Sequence, residues 1–129
     1  MEKYKCIEPK AGDIVKVEIS NKIYHFGLYL GDDKIIQYGL AKDVFNTNKE
    51  SVKVLISSMD EFLCGKMALV RVYSLIDKIK KNSTKKSIKK AMDRLGEAKY
   101  DLINNNCEHF VNECVFNKHY SEQANRVRK

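Results

Sequence analysis

An α+β domain, with an antiparallel sheet of four to six strands packed against a helix that begins at Cys107, is the fold class this sequence predicts. Residues 13–38 alternate apolar and polar side chains and break at Asn21-Lys22 and at Gly31-Asp32-Asp33, the pattern of consecutive antiparallel strands. Residues 84–95 instead place Ile88, Ala91, Met92 and Leu95 at helical spacing. Third, Asn104-Asn105-Asn106 runs straight into Cys107, and Phe110, Val111 and Cys114 follow on one helical stripe.

A chain of 129 residues is long enough for one domain with a real core and too short for two, so residues 1–129 are read as a single domain, with 1–7 and 124–129 as flexible ends. The formal charge of +7 concentrates between Lys78 and Lys90 and in Arg126-Val127-Arg128-Lys129. Such a surface attracts anions without naming one. Cys6, Cys64, Cys107 and Cys114 are scattered and follow no apolar signal segment, which argues against a secreted disulfide framework and for a cytoplasmic protein. No run reaches the roughly 20 apolar residues of a membrane span.

In order, Glu8-Pro9-Lys10-Ala11-Gly12-Asp13 is a turn before a strand at 13–20. Ile23–Leu30 and Lys34–Tyr38 form a hairpin. Its period of two puts His25 and Gly27 on one face and Tyr24 and Phe26 on the other, and Gly27 is read as open space beside His25. Residues 39–51 are a loop and 52–56 a strand. Ser58 caps a single helical turn closed by Gly65, and 67–73 is the next strand. Residues 74–82 carry conflicting signals and read as linker. Thr84–Leu95 is a helix between Ser83 and Gly96.

The chemistry lies in two distant segments. At a helix start, unpaired N–H groups and the helix dipole favour a thiolate, which makes Cys107 a candidate nucleophile. A thiol beside an imidazole is the minimal apparatus for covalent acyl transfer, and His25 is the candidate base. Gln37 is the candidate orienter of that imidazole. It shares a face with His25 only if it lies opposite Gly27, which calls for a three-residue turn; a two-residue turn pairs it with Leu28 and points it away. His109, two residues after Cys107 and about 200° around the helix, should point away from it and be structural.

Asn106-Cys107-Glu108-His109-Phe110-Val111 resembles the signature of the lecithin:retinol acyltransferase family and its phospholipase/acyltransferase relatives, which belong to the permuted papain-like (NlpC-type) superfamily. Residues 8–13 resemble the family's opening, His25-Phe26-Gly27-Leu28-Tyr29-Leu30-Gly31-Asp32 its histidine box, and Ser121-Glu122-Gln123 a pattern after its cysteine helix. The resemblance runs from about residue 8 to 127. It implies a permuted papain-like fold, Cys107 as nucleophile, His25 as general base, Asn106 and His109 as parts of the structural motif, and a glycerophospholipid acyl donor. Many members carry a histidine where this chain has Gln37, which can accept the imidazole N–H but cannot share charge with imidazolium. Several animal members also carry a hydrophobic C-terminal anchor, whereas this sequence stops in Arg126-Val127-Arg128-Lys129. Reversible contact with an anionic membrane through Lys85, Lys86, Lys89 and Lys90 is the corresponding expectation.

The reaction so implied is transfer of an acyl group to a Cys107 thioester, with the oxyanion held by the Cys107 N–H. Tyr24 is a second candidate donor, although alternation points it to the opposite face. A peptidase or amidase using the same pair, or a non-catalytic interaction module, are the alternatives. Cys107, His109, Cys114 and His119 form a Cys/His cluster, but helical phase and spacing fit no usual zinc pattern, so neither metal nor cofactor is expected. No nucleic-acid partner is expected.

Overall fold

The computed structural model describes residues 2–128; Met1 and Lys129, the last residue of the basic tail, lie outside the described residues. Six strands, β1 (Lys3–Lys5), β2 (Ile14–Ser20), β3 (Ile23–Gly31), β4 (Lys34–Tyr38), β5 (Val54–Ser58) and β6 (Leu69–Val72), form one antiparallel sheet in the order β1-β6-β2-β3-β4-β5. The helices are α1 (Met59–Leu63), α2 (Leu75–Lys80), α3 (Thr84–Met92), α4 (Cys107–Phe116) and α5 (Glu122–Arg128). This is the α+β architecture the sequence predicts.

Strand alternation gives the sheet two buried faces. Ile14, Phe26, Leu28, Ile36, Tyr38 and Val54 pack against Phe110, Val111, Cys114 and Val115 of α4 and Ala91 of α3. On the other face Val15, Val17, Ile35 and Val70 pack against Met59 and Phe62 of α1. Burial on this scale stabilises by roughly 1.5–3 kcal/mol for each fully buried large aliphatic or aromatic side chain.

The β3–β4 hairpin corrects one expectation and explains why its consequence survives. The tight turn is Asp32-Asp33, both with positive φ, closed by the pair Gly31↔Lys34, so it has two residues and not three. A bulge between Tyr29 and Gly31 supplies the odd residue, and Gly31 turns it with φ 98°. Turn plus bulge restore the parity that puts Gln37 opposite Gly27.

Other boundaries moved for physical reasons. Residues 74–82 are no linker: Ser74 accepts the Asp77 N–H and caps α2. Helix α3 stops at Met92, short of Leu95, and buries Ser87 and Ala91 while Met92 and Leu95 stay exposed, because small side chains allow the close approach to α4. The strands read at 52–56 and 67–73 occupy 54–58 and 69–72. Within the segments expected to be flexible ends, 3–5 form β1, which pairs with β6, and α5 runs to Arg128 after a cap at Ser121, whose Oγ accepts the Ala124 N–H.

Candidate active site

Helix α4 starts at Cys107 because Asn106 caps it. The Asn106 side-chain oxygen accepts the N–H groups of Glu108 (2.9 Å) and His109 (3.0 Å), and the Asn106 N–H donates to His109 Nδ1 (3.0 Å) in return. The same amide donates to the Leu102 carbonyl (2.9 Å) and Ser121 Oγ (3.0 Å), so one side chain fixes the helix start against two loops. His109 is thus tied to the cap, and its ring stacks on His119 at 4.1 Å between centroids.

The polar side of α4 is covered by the chain's own C-terminal segment. Ser121 Oγ (2.8 Å) and the Gln123 N–H (3.1 Å) donate to Glu108 Oε1, and the Asn112 amide donates to the Tyr120 carbonyl (2.9 Å). Burial raises the Glu108 carboxyl above its usual range, against the pull of these donors. Gln123 also accepts the Tyr24 N–H (2.6 Å) and donates to the Tyr24 carbonyl (3.1 Å), replacing a strand neighbour where β4 has left β3.

That departure makes a notch in the sheet. The last β3–β4 pair is Gly27↔Gln37, and Gly39, with φ 75°, carries the chain away. The Cys107 thiol fills the notch against the Phe26 N–H from the α4 side. His25, the residue before Phe26, turns to the opposite face and packs on Phe62 at 5.2 Å between ring centroids. Both border the same loop: Asp43 acts electrostatically on His25, and Tyr100, beside Cys107, donates its hydroxyl to the Val44 carbonyl (2.7 Å).

Gly27 leaves no open space beside His25. A Cβ there would stand 2.7 Å from Ile35 Cδ1 and 2.9 Å from Phe62 Cε1, so the glycine is required by close packing. Both candidate groups are buried, with Cys107 1% and His25 0% exposed.

A hydrogen-bond chain orders the imidazole. Ser57 Oγ donates to the Ser58 carbonyl (2.9 Å) and accepts from the Gln37 amide nitrogen (2.5 Å), which turns Gln37 Oε1 towards His25 Nε2 (2.7 Å). His25 Nε2 must then carry the proton that it donates to Gln37, which leaves a lone pair on Nδ1. His25 Nδ1 has no hydrogen-bond partner, so the resting structure contains no bond between it and the Cys107 thiol.

Burial decides the charge state. It lowers the His25 pKa to about 4, although the Gln37 bond and the Gly39 backbone pull it upward. It pushes the Cys107 thiol up to about 12, against the N–H groups of Phe26, Cys107 and Glu108. Burial therefore outweighs the helix start, and the expected thiolate is not favoured in this structure. A helix end contributes at most about 2 kcal/mol, whereas the rise to about 12 is worth roughly 4 kcal/mol the other way.

Tyr24 lies on the other face of β3 with the Lys16 ammonium 4.0 Å from its ring centroid. Among the described residues no cluster of His, Cys, Asp or Glu is arranged to hold a metal. All four cysteines are free thiols, and no described helix is long and apolar enough to cross a membrane. Of the lysines expected to meet a lipid surface, Lys85 and Lys86 are exposed, Lys89 pairs with Asp93 at 3.0 Å and Lys90 is half-buried.

Sequence reasoning missed Ser57, Glu108 and Gln123. A strand read as ending at Ile56 left Ser57 out, although a polar residue on an otherwise apolar strand face was a usable signal. Glu108 and Gln123 acquire their roles through the fold of the C-terminal segment, which periodicity does not report.

The sequence model of the family described as lecithin retinol acyltransferase matches residues 7–120. The chain is 28% identical to lecithin retinol acyltransferase of Rattus norvegicus over 136 residues, covering 89% of this chain and 58% of that protein. It is 32% identical to lecithin retinol acyltransferase of Bos taurus over 138 residues, with the same shares of 89% and 58%. Against phospholipase A and acyltransferase 3 of Homo sapiens it is 30% identical over 132 residues, covering 93% of this chain and 78% of that protein. The chain thus spans 58% of the length of the lecithin retinol acyltransferases it matches.

Proposed function

Because the chain belongs to the lecithin retinol acyltransferase family, we propose that it is a cysteine-dependent acyltransferase or phospholipase, working through a Cys107 thioester on a glycerophospholipid ester. The observation that carries this reading is the Ser57–Gln37–His25 chain, which leaves the His25 Nδ1 lone pair free on the residue next to Phe26, whose N–H meets the Cys107 thiol.

Substrate entry opens the notch and brings the thiol to that lone pair. With the thiol at about 12 and the imidazole at about 4, a preformed ion pair is disfavoured, and the proton moves as the nucleophile attacks. Cys107 Sγ bonds the ester carbonyl carbon, its proton passes to His25 Nδ1, and the carbonyl electron pair becomes an oxyanion facing the Cys107 N–H. Collapse expels the glycerol oxygen, which takes the proton from Nδ1 and leaves as a lysophospholipid. Water or an amine, deprotonated by His25, then attacks the thioester and restores the Cys107 thiol.

An acyl chain fits the surroundings better than a peptide. A cavity of about 210 Å³ is lined by Ile23, Val44, Phe45 and Leu102, with Lys22 and Arg126 among its other residues. Val44 and Leu102 are tied through their carbonyls to Tyr100 and Asn106, beside Cys107. A cytoplasmic location, with reversible membrane contact through Lys85, Lys86, Lys89 and Lys90, is part of the same proposal. The full burial of Cys107 and His25 favours a second reading, a non-catalytic module.

The test is product analysis by mass spectrometry after incubation with phosphatidylcholine vesicles, with and without phosphatidylethanolamine as amine acceptor. The parent should yield lysophospholipid with fatty acid or N-acyl product, and Cys107→Ala and His25→Asn should each lose roughly 10²–10⁴-fold in rate. Cleavage of peptides without lipid products would move the assignment to an amidase. No product from either would favour the non-catalytic module.

A further inference from the structure

Helix α2 is mounted the wrong way round for a soluble protein. Its aliphatic residues Leu75, Ile76 and Ile79 are 79%, 62% and 83% exposed. The side facing the protein is polar: the Asp77 carboxylate meets the Arg71 guanidinium at 3.5 Å, and Arg71 is itself buried over the Phe116 ring. At about 100° per residue, Leu75, Ile79 and Ile76 span one arc of roughly 100°, with Lys78 on one flank, Lys80 on the other and Asp77 opposite.

We propose that α2 is a membrane-docking element, its Leu75–Ile79–Ile76 ridge entering the acyl boundary of an anionic lipid surface while Lys78 and Lys80 meet the headgroups. An apolar ridge with basic residues on both flanks is the pattern of a helix lying in a bilayer interface, where lysine stems run along apolar surface and hold their ammonium groups in the headgroup layer. Charge selects the lipid. The acid of α2 is already met by Arg71, whereas Lys78 and Lys80 are exposed, and the exposed Lys85 and Lys86 follow at the start of α3. A second copy of this chain fits less well. Three aliphatic side chains fall well short of the about 800 Å² per partner that a standard interface buries, and a two-fold contact would set lysine against lysine.

The chain has no tryptophan, so Ile79→Trp creates a single reporter on the ridge. Its emission should shift to the blue, and be quenched by brominated acyl chains, when phosphatidylcholine vesicles containing phosphatidylserine are added, with little response to phosphatidylcholine alone. In the otherwise unchanged protein, Leu75→Ser with Ile79→Ser should lower the vesicle partition coefficient at least tenfold and leave the circular dichroism spectrum and thermal midpoint unaltered, because both side chains are exposed. Absence of a blue shift at saturating vesicle concentration would overturn the proposal, as would equal binding to both vesicle types. A blue shift that follows protein concentration without lipid would assign the ridge to self-association instead.

Discussion

Ser57→Ala is the substitution that most sharply probes how the imidazole is set. Ser57 touches neither Cys107 nor the ester of the proposed reaction; it acts through Gln37. In the parent, rotating the Gln37 amide by half a turn would aim Oε1 at a Ser57 oxygen whose proton is committed to the Ser58 carbonyl, and would aim the amide nitrogen at His25 Nε2. Removing the Ser57 hydroxyl abolishes that penalty and leaves the buried Gln37 nitrogen without an acceptor. One lost buried partner costs about 1–3 kcal/mol of stability, and the released amide can then favour the tautomer with the proton on Nδ1. If the whole of that preference bears on the chemical step, kcat/KM falls roughly 5- to 150-fold. Nitrogen-15 shifts of the His25 ring report the tautomer directly, and a phospholipid hydrolysis assay reports the rate. Ser57→Thr, which keeps the hydroxyl, should restore both. A Ser57→Ala protein with the Nδ1 lone pair intact and the parent rate would refute Ser57 as a positioning residue.

Three further outcomes follow from the packing and protonation of the same region. Gly27→Ala should cost about 1–3 kcal/mol in urea denaturation, because its Cβ would overlap Ile35 and Phe62; pairing it with Ile35→Val should recover part of the loss. His25 has a folded pKa of about 4 against an ordinary 6.5, so its contribution to stability is complete above the higher value and is lost as pH falls through that window. The unfolded chain takes up a proton there that the folded chain refuses, which amounts to roughly 3 kcal/mol by the acid end. The difference between the parent and His25→Asn in pH-dependent urea melts isolates this from the carboxylates. Gln123→Ala should speed hydrogen exchange at the Tyr24 amide, since Gln123 supplies its acceptor; unchanged protection would mean that α5 holds that edge without Gln123.

Much of the site was legible because it is written in local chemistry. Asn106 before Cys107 is a cap signal, and the cap places the cysteine at a helix start. The alternation of β3 puts His25 and Tyr24 on opposite faces, as found. What could not be read depends on how segments meet. The turn after β3 was expected to need three residues, yet Asp32 and Asp33 make a two-residue turn and a bulge before Gly31 repairs the register. Gly27 looked like open space beside His25, but Phe62 and Ile35, brought from elsewhere, fill it. Helix position argued for a thiolate at Cys107, and burial, which no single helix reveals, reversed the sign. Residues 74–82 give conflicting signals because the aliphatic side chains Leu75, Ile76 and Ile79 face outward and so show no relation to a core.

The central claim is a covalent acyl group on Cys107, and intact mass spectrometry of the protein after a short incubation with phosphatidylcholine vesicles tests it most directly. The parent should gain one acyl increment that hydroxylamine removes. Cys107→Ala should gain none, while Cys6→Ser with Cys64→Ser, which removes the two exposed thiols, should gain it as the parent does. An increment that persists in Cys107→Ala, or none in the parent while lysophospholipid accumulates, would contradict the thioester and with it the role assigned to the Cys107 helix start.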